Sequence, residues 1–331
     1  MFSNPRESGK FISANAEHIK ILPEGVEKFG AELAKVINSG ELSVENFGQT
    51  AVHPTANDPF ALDWIFVVDT LNFCFWSREN EEGWKVDGYT GYYALCAAIN
   101  RAMKEGIDIS NPKFYSTITE EQLSKVLRSD NDVHIPLFKE RLRCLHEVGE
   151  ALLKNFEGSF ENVVKKADKS AAILLKIVVD NFPCFRDQAT FKGKNVSILK
   201  RAQILIGDIW ACYLGNGIGH FNDIEEITMF ADYRVPQTLL YYNVLEYSKE
   251  LLEKLNTGNI LENGDEMEVE IRGCSIHAVE LLKEVAIKKI DKDKIINSIL
   301  IDHFLWDFRR KHAQEILTMK LPFHKTFSIY Y

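Results

Sequence analysis

Acidic residues inside strongly apolar segments are the clearest chemical signal in this 331-residue sequence. Asp302 and Asp307 lie in the segment ILIDHFLWDF, and Asp232 lies in the segment MFADYRVP, just before a proline that can begin a helix. A carboxylate buried without a partner is costly, so such residues are usually paired, shifted in pKa or functional. The structural alternative is that Asp302 and Asp307 bind neighbouring arginines or helix ends, and that Asp232 caps a helix.

The spacing of Asp302 and Asp307 limits what they can do together. In a regular helix, residues five apart lie about 140° apart around the axis. The two carboxylates cannot both point at one atom, so we expect one to face a reacting centre and the other to reach a different edge of the ligand. His303 and Asp307 are i and i+4 neighbours that could instead hold a metal ion, although a solvated polar face is the simpler interpretation.

Two loops are further candidates for binding. His53, in the segment AVHPT, lies outside any periodic apolar face, which favours a ligand contact over a place in the core. The segment 215–219, GNGIG, lacks the GxGxxG spacing of a dinucleotide-binding loop and follows a predicted helix instead of a strand. We interpret it as a flexible connection in preference to a phosphate loop, with Asn222 or Asp223 capping the next short helix.

The charge balance argues against a nucleic-acid partner. The chain has 39 Lys and Arg against 48 Asp and Glu, a formal net charge of −9. Polynucleotide-binding proteins usually carry a basic face, because much of their affinity comes from neutralising phosphates. The balance therefore favours a small or singly phosphorylated partner over tRNA or DNA.

Targeting signals and cysteine usage predict a cytoplasmic protein. Charged residues interrupt the first 20 positions, which argues against a signal peptide. No uninterrupted apolar stretch reaches the roughly 20 residues of a membrane-spanning helix. The six cysteines are scattered among apolar neighbours with no CxxC pair, which predicts buried, reduced thiols.

Helical periodicity dominates the elements that must position these residues. Helices are predicted over 24–38, 137–156, 170–182, 197–214, 236–255, 266–289 and 292–316, and the 170–182 helix should be buried on most sides. The sequence TEEQ at 119–122 matches a capping box. Aromatic and β-branched residues between 62 and 88 predict two or three antiparallel strands in a small sheet. Strands and helices do not alternate, so we predict a single mainly α domain over residues 1–331.

Four segments carry a resemblance to a known family. They are FADYRVPQ at 230–237, IRGCSI at 271–276, DHFLWD at 302–307 and PFHKTFSIYY at 322–331. In this order they resemble motifs of the queuosine salvage family, the queuosine 5′-phosphate N-glycosylase/hydrolases, and the likeness runs from about His53 to Tyr331. The resemblance implies a helical fold like that of DNA glycosylases. It also implies hydrolysis of the N-glycosidic bond of queuosine 5′-monophosphate, which releases queuine for tRNA modification. No metal, organic cofactor or obligate protein partner is expected.

The same resemblance implies roles for individual residues. It assigns the catalytic carboxylate to Asp302, which would stabilise an oxocarbenium-like centre at C1′, add to it covalently or orient water. Asp232 would accept from the N–H edge of the base and Phe230 would stack on it. Our own hypothesis is that Asp307 accepts from the cyclopentene-diol arm or from its ammonium group. The residues expected to line the base and ribose pocket are His53, Phe230, Asp232, His303 and Asp307. The unranked candidates for binding the 5′-phosphate are Lys200, Arg201, Arg234, His324 and Lys325.

Two other classes of protein fit the residues taken alone. A metal-dependent phosphohydrolase would need Asp302, His303 and Asp307 to converge with another histidine. A non-enzymatic helical scaffold would have no closed acidic pocket, and exposed apolar helix faces would mark its partner site.

Overall fold

Helices make up most of the architecture. The computed structural model describes residues 3–46, 50–77 and 81–331. The α-helices in these residues are α1 (Pro5–Ala14), α2 (Pro23–Asn38), α3 (Ala61–Leu71), α4 (Gly91–Lys104), α5 (Pro112–Tyr115), α6 (Glu120–Val126), α7 (Phe138–Asn155), α8 (Phe160–Lys166), α9 (Ala171–Asn181), α10 (Lys200–Cys212), α11 (Val235–Tyr241), α12 (Lys249–Asn256), α13 (Glu266–Ala286), α14 (Ser298–Lys311) and α15 (Ala313–Thr318). The strands are β1 (Ile19–Ile21), β2 (Lys85–Val86), β3 (Tyr89–Thr90), β4 (Gln188–Phe191), β5 (Lys194–Ser197) and β6 (Leu245–Tyr247). They pair only as two-stranded antiparallel sheets, β1 with β6, β2 with β3 and β4 with β5, so the predicted mainly α fold is confirmed.

The chain forms two compact units. Unit 1 contains Met1–Phe47, Asp187–Gln203 and Glu225–Phe327, and unit 2 contains Gly48–Arg186, Ile204–Ile224 and Ser328–Tyr331. Both units are therefore assembled from segments that are distant in sequence, and the first turn of α10 belongs to unit 1 while the rest belongs to unit 2. That the chain unfolds as one domain stays a prediction.

In unit 1, glycines allow other helices to pack closely against α13. A Cβ at Gly9 of α1 would lie 2.9 Å from Ile276 Cγ2 and 3.0 Å from the carbonyl oxygen of Gly273. A Cβ at Gly30 of α2 would lie 2.7 Å from Val285 Cβ. A Cβ at Gly273, the glycine of the IRGCSI segment, would lie 2.4 Å from Ile12 Cδ1 of α1, so this glycine has a packing role as well.

In unit 2, one buried arginine completes the end of α3. The guanidinium of Arg141 on α7 donates to the carbonyl oxygens of Leu71, Phe73 and Cys74, the last at 3.1 Å. The final carbonyl groups of a helix have no partner within the helix, so this side chain meets a requirement that the backbone cannot. The guanidinium also lies 4.3 Å from the centre of the Phe73 ring.

The predicted strands at residues 64–76 are wrong. Residues 61–71 form α3, residues 72–77 are irregular, and the strands of this region are the two-residue β2 and β3. Helix α3 is buried on almost every side, with only Asp63 partly exposed. A fully buried helix shows no polar face, so its periodicity cannot be told from that of a buried strand. Residues 78–80 of the predicted sheet lie outside the described residues.

The other helix predictions have mixed outcomes. The helices at 24–38, 137–156 and 266–289 are confirmed, and so is the capping box, in which Gln122 N donates to Thr119 Oγ1 at 3.1 Å. The single helix at 236–255 is wrong, because Asn243 adopts a positive φ of 55° and β6 then pairs with β1. The helix at 292–316 begins only at Ser298, where the Asn297 side chain accepts from Leu300 N, and it breaks at His312. Helix α9 is buried on one side only, since Ile173 is 48% exposed.

The glycine-rich segment GNGIG is a connection after α10. It contains one short 3-10 turn, Gly217–Gly219, and a Cβ at Gly219 would lie 2.7 Å from the carbonyl oxygen of Ile209. The expected cap on the following helix is wrong, because Asp223 accepts from Ala171 N at 2.6 Å and from the Ser170 hydroxyl at 2.7 Å, at the start of α9.

All six cysteines are free thiols, and only Cys212 is partly exposed, which confirms the predicted burial for the other five. Among the described helices, none has the length and apolar character needed to cross a membrane.

Candidate active site

Asp302 lies in the buried half of α14 and holds a neighbouring backbone segment. Its side chain is almost fully buried, and Oδ1 accepts from the backbone N–H of Phe230 at 2.9 Å. This contact brings together two of the predicted motifs, 72 residues apart in sequence. The carboxylate is therefore fixed in orientation by a backbone donor in a shielded environment.

The segment before α11 is irregular, so its N–H groups require partners outside a helix or sheet. Gln203 Oε1 accepts from both the N–H and the hydroxyl of Thr228, at 2.8 and 3.0 Å. Asp302 accepts from Phe230, as described above. The backbone on which Phe230 and Asp232 depend is thus held by side chains from α10 and α14.

Asp232 has a structural task as well as a possible chemical one. Its Oδ1 accepts from the N–H groups of Arg234 and Val235, both at 2.7 Å, so Asp232 holds the turn that leads into α11, whose N-cap residue is Arg234 and not Asp232 as predicted. An oxygen with two such bonds has little capacity for more. Any ligand would therefore be received mainly by Oδ2.

Lys200 is the first residue of α10, and its buried amine lies near Asp232 and Asp302. Burial lowers the pKa of Lys200 to about 8; Asp232 and Asp302 oppose this shift, while Arg201 and Arg272 add to it. Within the described residues, no carboxylate oxygen lies within 4 Å of its Nζ. Lys200 thus contributes positive charge to the surroundings of Asp232 and Asp302 without forming a close ion pair.

The second half of α14 has a different environment. Asp307 Oδ2 lies 2.7 Å from Lys311 Nζ, and the Asp307 side chain is 41% exposed. His303 is partly buried, and burial lowers its pKa, opposed by the charge of Asp307. Within residues 3–46, 50–77 and 81–331, no three His, Cys, Asp or Glu side chains are grouped closely enough to hold a metal ion.

Two cations, Arg234 and Lys325, lie beside the ring of Phe323, and Arg309 is joined to Arg234 through Gln237; we call these three residues the Phe323 cation cluster. The Arg234 guanidinium lies 3.9 Å and Lys325 Nζ 5.4 Å from the ring centre. Gln237 Oε1 joins the two arginines, accepting from Arg234 Nη1 and Arg309 Nε at 3.3 Å each. Burial, followed by the charge of Arg234, lowers the pKa of Arg309 to about 10. Among the described residues, neither arginine has a carboxylate within 4 Å, so the cluster offers charge to an external anion.

His324 differs from the other predicted phosphate ligands because it is neutral. It is almost completely buried, and burial, followed by the charge of Arg272, lowers its pKa to about 3. A neutral imidazole can donate one hydrogen bond but brings no positive charge.

His53 belongs to unit 2, whereas the other predicted site residues belong to unit 1. Its ring centre lies 5.8 Å from that of Trp64, 5.5 Å from Tyr92 and 6.1 Å from Tyr93. Tyr92 in turn donates to Asp208 Oδ2 at 3.4 Å. Three aromatic side chains therefore surround the His53 ring and hold it in one orientation.

Sequence reasoning missed several residues that the structure brings to this region. Arg309 is seven residues after Asp302, and this spacing puts both on the same helix face, a signal that was open to detection. Gln203 carried no comparable signal. Gln237 and Arg272 lie in the segments FADYRVPQ and IRGCSI, but the partners that give them their roles are brought near only by the fold.

The fold and the site define a class: a mainly helical protein whose polar centre combines carboxylates from two elements with a buried ammonium. The chain belongs to the queuosine salvage protein family, whose family model matches residues 52–331. It is 48% identical over 339 aligned positions to the queuosine 5′-phosphate N-glycosylase/hydrolase of Bos taurus, covering 99% of this chain and 98% of the relative. The proteins of the same name from Mus musculus and Schizosaccharomyces pombe are 44% and 36% identical, over 99% and 98% of this chain and 98% and 99% of their own lengths.

Proposed function

We propose that this protein hydrolyses the N-glycosidic bond of queuosine 5′-phosphate and releases queuine. Membership of the queuosine salvage family and the name shared by its relatives support this activity. The observation that carries it within the molecule is Asp302, a buried carboxylate oriented by the backbone N–H of Phe230. The products are the free base and ribose 5-phosphate, with water supplying the new hydroxyl at C1′.

In this proposal Asp302 stabilises the positive charge that develops at C1′ as the bond to the base breaks. A preorganised carboxylate in a shielded site is worth more than the same group in water, because it does not need to reorganise during the reaction. The Phe230 N–H keeps one oxygen in place. The amine of Lys200 interacts electrostatically with the same carboxylate.

The base is proposed to lie against Phe230 with its N–H edge at Oδ2 of Asp232. The two backbone N–H groups that bind Oδ1 of Asp232 support this assignment, because they fix the carboxylate and leave Oδ2 as a defined acceptor. Asp307 is proposed to receive the side arm, consistent with its partly exposed position five residues beyond Asp302. Roles for His53 and His303 as substrate contacts stay predictions from the sequence.

The Phe323 cation cluster is the proposed partner of the 5′-phosphate. Two guanidinium groups with no carboxylate oxygen of the described residues within 4 Å are suited to bidentate binding of phosphate oxygens. This retains Arg234 and Lys325 from the predicted set and adds Arg309. Lys200 is better placed to balance Asp232 and Asp302. A neutral His324 would serve at most as a hydrogen-bond donor.

The remaining features of the proposal follow from charge and composition. A net charge of −9 favours a nucleotide already released from tRNA over a polynucleotide. Six free thiols fit a reducing compartment, so we place the protein in the cytoplasm, acting without a cofactor or an obligate protein partner.

The decisive experiment incubates purified protein with queuosine 5′-phosphate and, separately, with queuosine. Free queuine and ribose 5-phosphate are followed by mass spectrometry. Equimolar release of both from the nucleotide, unaffected by EDTA, is the expected result. Release of inorganic phosphate in place of queuine would instead support a phosphohydrolase.

A further inference from the structure

The arginine of the IRGCSI segment has no role in the reaction outlined above, although it contacts the same region. Arg272 of α13 is almost fully buried, and its Nε donates to the backbone carbonyl oxygen of Ala231 at 3.0 Å. Its Nη1 and Nη2 donate to Oδ1 and Oδ2 of Asp187 at 2.9 and 2.6 Å. Nη1 also lies 3.3 Å from Glu268 Oε1. The whole planar guanidinium is thus used.

The contact between Arg272 and Ala231 matters because of where Ala231 lies in the chain. It lies between Phe230, whose N–H holds Asp302, and Asp232, the proposed acceptor for the base. These three residues, the 230–232 segment, are irregular backbone, so their placement depends on such side-chain contacts.

Asp187 extends the same network to the buried amine. Its Oδ2 accepts from the backbone N–H of Lys200 at 3.0 Å, at the first residue of α10. The pair of Arg272 and Asp187 therefore links α13, the start of α10 and the 230–232 segment. A buried ion pair of this kind is often no more stabilising than apolar residues of similar volume, so stability alone does not explain it.

We propose that Arg272 is a positioning residue that holds the 230–232 segment in register with Asp302 and Lys200. The inference rests on the proposed function, since it concerns the geometry of that reaction. A planar fork can bind Ala231 and both oxygens of Asp187 at once, whereas a lysine amine on a flexible stem cannot reproduce this geometry. Small displacements at a reacting centre are costly, about 100-fold for a shift near 1 Å.

The test compares Arg272→Lys with wild type in queuine release from queuosine 5′-phosphate. Wild-type activity is measured first, and its absence would count against the proposed function and not against Arg272. We expect Arg272→Lys to keep the charge next to Asp187 and to lower kcat/KM about 10- to 100-fold. The loss should include kcat, because Asp302 is oriented through Phe230.

A double-mutant cycle separates positioning from general loss of stability. Arg272→Lys is combined with Asp232→Asn. Gly273→Ala is the matched control, because Gly273 is the neighbouring residue of α13 and its new Cβ would meet the Ile12 side chain of α1. If Arg272 acts through the 230–232 segment, the double variant should lose at least threefold less than the product of the two single losses. Gly273→Ala should lower Tm. In combination with Asp232→Asn, its loss of kcat/KM should simply multiply that of Asp232→Asn.

Two results would overturn the proposal. One is a kcat/KM for Arg272→Lys within twofold of wild type, and the other is a multiplicative loss in combination with Asp232→Asn. If Arg272→Lys does not fold, Asp187→Asn takes its place in the cycle, since it keeps an acceptor for Arg272 and for Lys200 N while weakening both bonds. The same criteria apply to it.

Discussion

The two halves of α14 carry acids of the same type in opposite environments. Asp302 is 6% exposed and accepts a hydrogen bond from backbone that lies outside its helix, whereas Asp307 is bound to Lys311 one turn along the same helix. In the first half, the Ser298 hydroxyl donates to Glu280 of α13 at 2.5 Å. Helix α11 contacts α14 through the Thr238 hydroxyl, which donates to the carbonyl oxygen of Leu305 at 2.9 Å.

Asp302 is thus positioned by a distant part of the fold, whereas Asp307 is positioned by a residue of its own helix. A surface pair such as Asp307 and Lys311 contributes about 0.3–0.5 kcal/mol and exchanges readily with solvent. A buried carboxylate persists only with designated partners, because its desolvation is costly. The expected effects of substitutions follow this order, with the largest at the buried end.

Replacing Asp302 by Asn should have the largest effect. The amide preserves size but removes the charge opposite C1′, so we expect kcat to fall by about 10³-fold, the scale of losing a preorganised electrostatic group. Queuine release by mass spectrometry measures it, with Asp307→Asn as the matched control on the same helix. Equal losses in the two variants would erase the distinction between the two halves of α14.

Replacing Arg309 tests whether the helix face that carries Asp302 also contributes to substrate binding in the second half of α14. Arg309→Gln removes one guanidinium from the Phe323 cation cluster, and we expect kcat/KM for queuosine 5′-phosphate to fall about 10- to 100-fold, as for loss of a charged hydrogen bond. Cleavage of queuosine, which has no phosphate, should be nearly unchanged. Arg310→Gln, on the neighbouring exposed position, is the control; a parallel loss for nucleotide and nucleoside would contradict the phosphate assignment.

Asp307→Asn should have a smaller and selective effect. If Asp307 receives the side arm of the base, kcat/KM should fall about tenfold for queuosine 5′-phosphate and much less for 7-deazaguanosine 5′-phosphate, which lacks the arm. Lys311→Met breaks the same ion pair without touching the carboxylate. Equal losses on both substrates, or the same loss in Lys311→Met, would assign Asp307 to the helix surface alone.

The buried His324 should make the free energy of unfolding depend on pH. Its pKa is lowered from 6.5 to about 3, so the unfolded chain takes up a proton below pH 6.5 that the folded protein does not. The free energy of unfolding should therefore decrease as pH falls from 6.5 towards 3, by up to about 1.4 kcal/mol per pH unit from this residue. Urea unfolding at several pH values should show a shallower dependence on pH in His324→Gln than in wild type. An equal dependence in the two proteins would contradict the assignment to His324.

Predictability along the chain depended on whether a helix had an exposed face. Helices α2 and α7 have one polar side and were predicted almost to the residue. Helix α3 has almost none and was taken for strands, because burial on every side removes the periodic signal. Helix α13 is as deeply buried, but buried charged residues such as Glu268 and Arg272 punctuate its sequence and made its extent recognisable.

The sequence by itself determined the helical class, the acidic balance and the three candidate acids, because periodicity, charge and isolated carboxylates are properties of neighbouring residues. Tertiary structure alone decided that Phe230 N–H holds Asp302, that Gln237 joins Arg234 to Arg309, and that Arg272 meets the carbonyl of Ala231. Each of these contacts unites a side chain with a partner that is distant in sequence or has no side-chain signature. Backbone N–H and C=O groups are the same at every residue, so only the fold can show which of them a side chain reaches.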